Sequence, residues 1–223
     1  MPARPAAGGG RWLDVSPERL PGWIDRFTAR HGFDAAWGTA PAGVDGTIQL
    51  TGLDGAVASF TAPPGAPAAA TLDEFVSIAQ QSRRLGLLLA RQASVAVGVA
   101  AGERLVSSKV DTSYVQSRTA AGGWSQQRYA RRRSNQAKAA AEDAADLAVR
   151  LLVPAAPELA AVVTGGDRRT VEAILADDRL APLVALRAER FLDVAEPRLA
   201  VLEAAVGAAR AVRIVIRDPD PSR

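Results

Sequence analysis

The sequence predicts an α/β fold, a mixed β-sheet with helices on its faces, and three observations predict it. Three closely spaced apolar stretches, Leu85 to Ala90, Val95 to Ala100 and Leu105 to Val110, read as consecutive strands, the last running on towards Gln116. Behind them Ala130, Ala137, Ala141, Ala144, Leu147, Ala148 and Leu151 recur at three- and four-residue spacing, the core stripe of one helix from near Gln126 to about Leu152. Short strands and helices then alternate as far as a terminal strand, Val212-Arg213-Ile214-Val215-Ile216.

Taken in order, Met1 to Gly10 is rich in Pro and Gly and predicts a disordered start. Arg11 to Val15 is a strand. Ser16-Pro17-Glu18 caps a helix that buries Leu20, Trp23, Ile24 and Phe27 and closes at His31-Gly32. Trp12, Trp23 and Trp37 are expected in the core. Thr47 to Thr51 and Ala56 to Thr61 alternate apolar and polar around Gly52-Leu53-Asp54-Gly55, a β-hairpin signal. Pro63 to Ala70 is a crossing loop, and Thr71-Leu72-Asp73-Glu74 opens a second helix by a capping pattern.

After the long helix, Leu159 to Thr164 reads as a buried strand, followed by Gly165-Gly166-Asp167 and a helix from Thr170 to Leu175. That order raises phosphate binding at a helix N-terminus, but there is no Gly-x-Gly-x-x-Gly and no P-loop lysine, and Asp167 would repel an anion. Ala185 to Val194 is extended, Pro197 to Ala208 is helical, and Asp218 to Arg223 frays. The expected division is a disordered segment 1–10, an N-terminal elaboration 11–81 packed on the core, one compact core over 82–217 and a tail 218–223.

The chain of 223 residues carries 27 Lys and Arg against 24 Asp and Glu, a formal net charge of +3. Distribution therefore matters more than the total. The absence of cysteine excludes disulfides, thiol nucleophiles and cysteine-ligated metals. With His31 the single histidine, neither a metal nor a cofactor is expected; beside Gly32 it reads as a helix C-terminal residue. No apolar run reaches the roughly 18 residues that span a bilayer, and the N-terminus lacks a hydrophobic signal region, so the expectation is a cytoplasmic monomer.

The charge gathers in one place. Between Asp111 and Glu142 there is no acidic residue, while Arg118, Arg128, Arg131, Arg132, Arg133 and Lys138 lie within that span. Five of these sit in the first turns of the long helix, where the macrodipole favours carboxylates instead. The choice works against helix stability and fits a polyanion. Guanidinium groups bind phosphate bidentately and Tyr129 offers a stacking surface, which points to RNA; the alternative is a solvated arginine-rich face. Just before the helix, Gly122 and Gly123 predict a mobile loop over Ala120 to Gly123, with Ser125 as N-cap.

Arg128-Tyr129-Ala130-Arg131-Arg132-Arg133 resembles the start of the basic helix in the catalytic domain of eukaryotic and archaeal class-1 peptide release factors, where a Gly-Gly-Gln loop leads into an Arg-aromatic-Ala-Arg-x-Arg pattern. Here Trp124 stands where those proteins carry glutamine. The looser spacing Gly123-Trp124-Ser125-Gln126 is similar to that of the Vms-like release factor (VLRF) family, in its actinobacterial branch, and the resemblance extends from about Arg11 to Arg217. It implies a release factor catalytic fold and hydrolysis of peptidyl-tRNA on the large subunit of stalled ribosomes, in rescue and quality control rather than codon-dependent termination. It also implies that Gln126, or Gln127 one register away, is the catalytic residue on a loop formed by Gly122, Gly123, Trp124 and Ser125. A glutamine amide does not titrate near neutrality; it can only donate and accept hydrogen bonds, so its part is to position water or to present a backbone N–H to an oxyanion.

Three other functions fit parts of the pattern. A metal-dependent nuclease acting on tRNA requires converging carboxylates, and Asp14, Asp111, Glu142, Asp143 and Asp146 form no such set in the sequence. A non-catalytic ribosome- or RNA-binding module would use the arginines alone. A stand-alone peptidyl-tRNA hydrolase with a histidine base would have to use His31.

Overall fold

The computed structural model describes residues 4–6, 9–33, 39–40, 47–91, 94–112 and 125–219, of which 39–40 and 125–134 are described as backbone. In chain order the elements are β1 (Arg4–Pro5), β2 (Arg11–Val15), α1 (Leu20–His31), β3 (Thr39–Ala40), β4 (Ile48–Thr51), β5 (Val57–Thr61) and α2 (Leu72–Gln80). There follow β6 (Arg84–Arg91), β7 (Ser94–Ala101), β8 (Arg104–Thr112), α3 (Ser125–Leu152), β9 (Ala161–Gly166) and α4 (Arg168–Leu175). The chain continues through α5 (Ala181–Ala185), β10 (Arg187–Leu192), α6 (Leu199–Arg210) and β11 (Val212–Arg217).

These elements are α/β, as the sequence predicts, but they build two sheets and two compact units. One unit is 1–82 with 207–223; the other is 83–206. The terminal strand does not follow the expected division: β11 falls with the first unit, not with the 82–217 core. Its alternating Val212, Ile214 and Ile216 ask for one buried face and say nothing about which sheet provides it.

In the first unit all pairings are antiparallel and the order is β1-β2-β11-β5-β4-β3. The hairpin β4–β5 turns on Gly52 to Ala56, as the alternation requires. Phe60 is fully buried between Trp23 of α1 and Phe75 of α2, at centroid distances of 5.6 and 6.0 Å. Each such buried ring contributes about 1.5–3 kcal/mol. The α2 cap forms: the Thr71 hydroxyl accepts from the Glu74 N–H at 3.2 Å, and Glu74 reaches back to the Ala70 N–H at 2.7 Å. Two expectations for this unit need correction. Arg4–Pro5 is a strand paired with β2 rather than part of a disordered start, and Asp218 is held by Arg11 at 2.5 Å rather than frayed. Trp12 is half-buried on the sheet face away from the core, because its neighbours Leu13 and Val15 take the inward positions. Trp37 lies outside the described residues.

The second unit is a mixed sheet, order β10-β9-β6-β7-β8: β10, β9 and β6 run parallel, and β7 and β8 return antiparallel. The predicted strands β6, β7 and β8 are neighbours in that sheet; residues 113–116 lie outside the described residues. Six consecutive residues of β6, Leu85 to Ala90, are buried, as befits a central strand covered on both faces. Gly86 lets α3 and β9 approach closely: a Cβ there would sit 2.9 Å from the Leu159 side chain, which would have to shift. On one face α3 packs against β7 and α4, and Leu147, Ala148, Leu152, Val171 and Ile174 join Leu88, Val97 and Val162 in one core. On α3, Ala144, Ala145, Leu147, Ala148 and Leu152 are buried, while Leu151 is half-buried and Ala137 is exposed. The predicted stripe therefore holds from Ala141 onward, and the helix outruns its core at the N-terminal end.

The turn after β9 also differs in detail. Gly165 and Gly166 belong to the strand, and α4 begins at Arg168, two residues before the expected start, because the Asp167 carboxylate caps it, accepting from the Thr170 N–H at 2.8 Å. The short α5 was not expected, and it leaves β10 to begin at Arg187.

Candidate functional site

α3 is one unbroken helix of 28 residues, Ser125 to Leu152. At 1.5 Å per residue it is about 42 Å long. The helix begins at Ser125, within a residue of the expected start near Gln126, so both glutamines sit in its opening turn. Arg118, Gly122, Gly123 and Trp124 lie outside the described residues, as does the predicted loop over Ala120 to Gly123.

The far end of α3 is fixed. Besides its apolar stripe, Asp146 accepts from Arg179 at 2.7 Å, and Arg179 also pairs with Asp177 at 2.6 Å. The Arg179 guanidinium holds the Asp177 carboxyl down to about 2. Arg179 and Asp146 are exposed and Asp177 half-buried, so solvent screens these pairs and the apolar stripe is the main anchorage. The near end is different: Asn135, Ala137, Lys138 and Ala139 are exposed, and Lys138 makes only a 3.8 Å pair with Glu142 one turn on.

Helix geometry sorts the positions between. At about 100° per residue, Arg128, Arg131, Arg132 and Lys138 fall within roughly one third of the circumference, on the side away from the buried stripe. Arg133 falls on the stripe's side. Gln126 precedes Ala144, and Gln127 precedes Ala145, by about five full turns, so each shares the line of a buried residue. The Gln126 position is thus carried roughly 27 Å beyond Ala144, the first buried residue of α3 among those whose side chains are described. The N–H groups of the first four residues of a helix have no partner within it, and the positive end of the dipole lies there. The helix backbone thus carries both glutamine positions in its opening turn and the basic positions in the turns that follow.

The other candidates disperse. His31 Nδ1 lies 2.8 Å from the Asp54 carboxylate at the β4–β5 turn, and this hydrogen bond is the main cause of the lowered Asp54 pKa. His31 is therefore a helix-end residue tied to a hairpin. Asp14 pairs with Arg213 and Asp146 with Arg179; among the described residues no group of three or more His, Asp or Glu is placed to hold a metal ion. At the Gly165-Gly166-Asp167 turn the Asp167 carboxylate occupies the α4 N-terminus, so that end is already satisfied. Sequence reasoning missed one concavity in this unit. A cavity of about 270 Å³ lined by Thr164, Arg168, Arg187, Ala188, Glu189 and Phe191 lies where the register of β10 shifts between Arg187 and Phe191. No local pattern announces a strand irregularity of that kind.

Residues 83–215 match the family described as Actinobacteria/chloroflexi VLRF1 release factor. The match begins at the first residue of the second unit, runs through the whole of α3 and ends inside β11. The chain belongs to this release factor family. Among solved structures it is similar to an archaeal translation termination factor, aRF1, at 18% identity and a TM-score of 0.41, covering 72% of this chain and 48% of that one. It is also similar to a structure described as an archaeal protein, at 17% identity and a TM-score of 0.38, covering 70% of this chain and 48% of that one. The chain thus spans about half the length of these relatives. No curated protein matches the sequence. Among the described residues no helix is long and apolar enough to cross a membrane.

Proposed function

We propose that the protein is a peptidyl-tRNA hydrolase that frees nascent peptides from tRNA on stalled ribosomes, with Gln126 as the catalytic residue. Membership of a release factor family supports the reading, and the observation that carries it is the unbroken α3. One helix bears the glutamine pair at its tip and a basic face along its outer side, and its other end is embedded in a core.

In this mechanism the Gln126 amide holds a water against the ester carbon that joins peptide to tRNA. A free N–H at the head of α3 meets the developing oxyanion, where a fixed donor acts most strongly. The water oxygen bonds to the carbonyl carbon, the bond to the ribose oxygen breaks, and the proton ends on that ribose oxygen. No group has to titrate, and neither a metal nor a cofactor is required. Arg128, Arg131, Arg132 and Lys138 contact RNA of the large subunit or of the tRNA, with Arg133 and Arg118 as further contacts; Gly122, Gly123, Trp124 and Ser125 allow the tip to fit its cavity. The protein works as a cytoplasmic monomer in ribosome-associated quality control.

The experiment is single-turnover peptide release on isolated large subunits loaded with peptidyl-tRNA, with subunit binding measured in parallel. Gln126→Ala should bind and fail to release. Intact release by this variant would leave only an RNA-binding function for α3.

A further inference from the structure

The sheet of the first unit is sorted by its own alternation. Val212, Ile214, Ile216, Ala58 and Phe60 are buried in the core that also takes Leu20 and Phe27 of α1 and Phe75 of α2. The intervening positions face the other way. Arg4 is registered with Trp12, Trp12 with Val215, Val215 with Ser59 and Ser59 with Gln49, one row across five strands of the opposite face. Arg213 and Arg217 flank that row on β11, roughly 13 Å apart along the strand.

This face is cationic in an unusual way. The Arg213 guanidinium carbon lies 4.3 Å from the Trp12 ring centroid and that of Arg4 lies 5.3 Å from it. Asp14, beside Trp12 on β2, pairs with Arg213 at 3.3 Å. Arg4 and Arg217 are exposed and have no carboxylate partner among the described residues. A guanidinium stacked on an indole turns its N–H edges outward, where they match phosphate oxygens; Arg213 gives its Nε–H to Asp14, and Arg4 has no carboxylate partner among the described residues. The guanidinium plane also stacks on an unpaired base. A protein partner would want a desolvated apolar centre, and this face offers a Trp flanked by arginines together with hydroxyl and amide side chains.

We propose that this open face of the six-stranded sheet binds single-stranded RNA, with Arg4, Arg213 and Arg217 on phosphates and Trp12 holding the first two in place. The proposal stands apart from the chemistry of Gln126: it gives the first unit an RNA contact of its own.

The test is fluorescence anisotropy of the full chain with a labelled oligouridylate across a range of salt concentrations, in a background of Arg131→Glu with Arg132→Glu that weakens the α3 contact. Arg4→Glu with Arg217→Glu should lower affinity about tenfold and reduce the salt slope by about 1.4, two single-strand phosphate contacts. Trp12→Leu should lower affinity by about threefold, in keeping with the loss of cation–aromatic support. Ultraviolet crosslinks should map to peptides of β2 or β11. Unchanged affinity and slope in a folded double variant, or crosslinks confined to α3, would overturn the proposal. So would a variant that loses only a protein partner. Release by Gln126→Ala would leave this proposal untouched, and loss of this RNA contact would leave the hydrolysis reading untouched.

Discussion

The two halves of α3 are written in much the same alphabet and do opposite things. From Ala141 to Leu152 the small residues at helical spacing are buried against β7 and α4. Before Ala141 the same spacing continues through Ala137, which is exposed, and the outward positions turn from mixed charge to arginine. Most helical stability in proteins comes from tertiary packing, and arginines at an N-terminus weaken a helix. The near half is thus held in shape by the far half. Stability and the proposed function are separated along one element, which makes each testable without the other.

The largest effect is expected where the helix is anchored. Leu152→Ala removes a fully buried side chain and should cost about 2–5 kcal/mol in chemical denaturation. Ala137→Leu, on the same stripe but exposed, should stay within about 0.5 kcal/mol. Equal costs at the two positions would mean that the near half is packed as well.

Charge reversal on the outer face sharpens the contrast in the other direction. Arg131→Glu with Arg132→Glu should leave the melting temperature nearly unchanged. It should weaken large-subunit binding roughly tenfold and flatten its salt dependence by about two contacts. Unchanged binding at every salt concentration would reduce these arginines to a solvated surface.

A smaller effect belongs to the end of the core on which α3 rests. Asp167 accepts from the Thr170 N–H, and this bond holds its carboxyl below the ordinary value of 3.8. A depressed carboxyl contributes stability that is present above the unfolded pKa and lost as pH falls through the folded one. Asp167→Ala should therefore cost about 1 kcal/mol at neutral pH and less on moving below about pH 4, measured by melts across that range. A cost that did not shrink in acid would assign the effect to something other than the cap.

The sequence carried the periodic parts of this fold well. The hairpin about Gly52 to Gly55, the Thr71–Glu74 cap, the neighbouring strands β6, β7 and β8 and the long helix all follow from patterns a few residues wide. What escaped was set by partners distant in the chain. Arg4–Pro5 is too short to show alternation, and it is a strand only because β2 pairs with it. β11 joins β2 and β5 across nearly the whole chain, which no local window reports. Trp12 was legible in principle, since Leu13 and Val15 claim the inward face, but an aromatic residue read by type alone goes to the core. For the candidate site, the basic segment and both glutamines are plain in the sequence. Their place at the start of the long helix is legible too, since the stripe runs back to Ala130; where that stripe stops being buried required the packing to be seen.

The most direct measurement is the single-turnover rate of peptide release from large-subunit-bound peptidyl-tRNA, with alanine placed at each glutamine in turn. Gln126→Ala should slow release by roughly 100-fold or more, the scale of losing one transition-state hydrogen-bonding group, while Gln127→Ala stays within a few-fold of the unaltered protein. A variant lacking both amides that still released peptide at the normal rate would contradict the account.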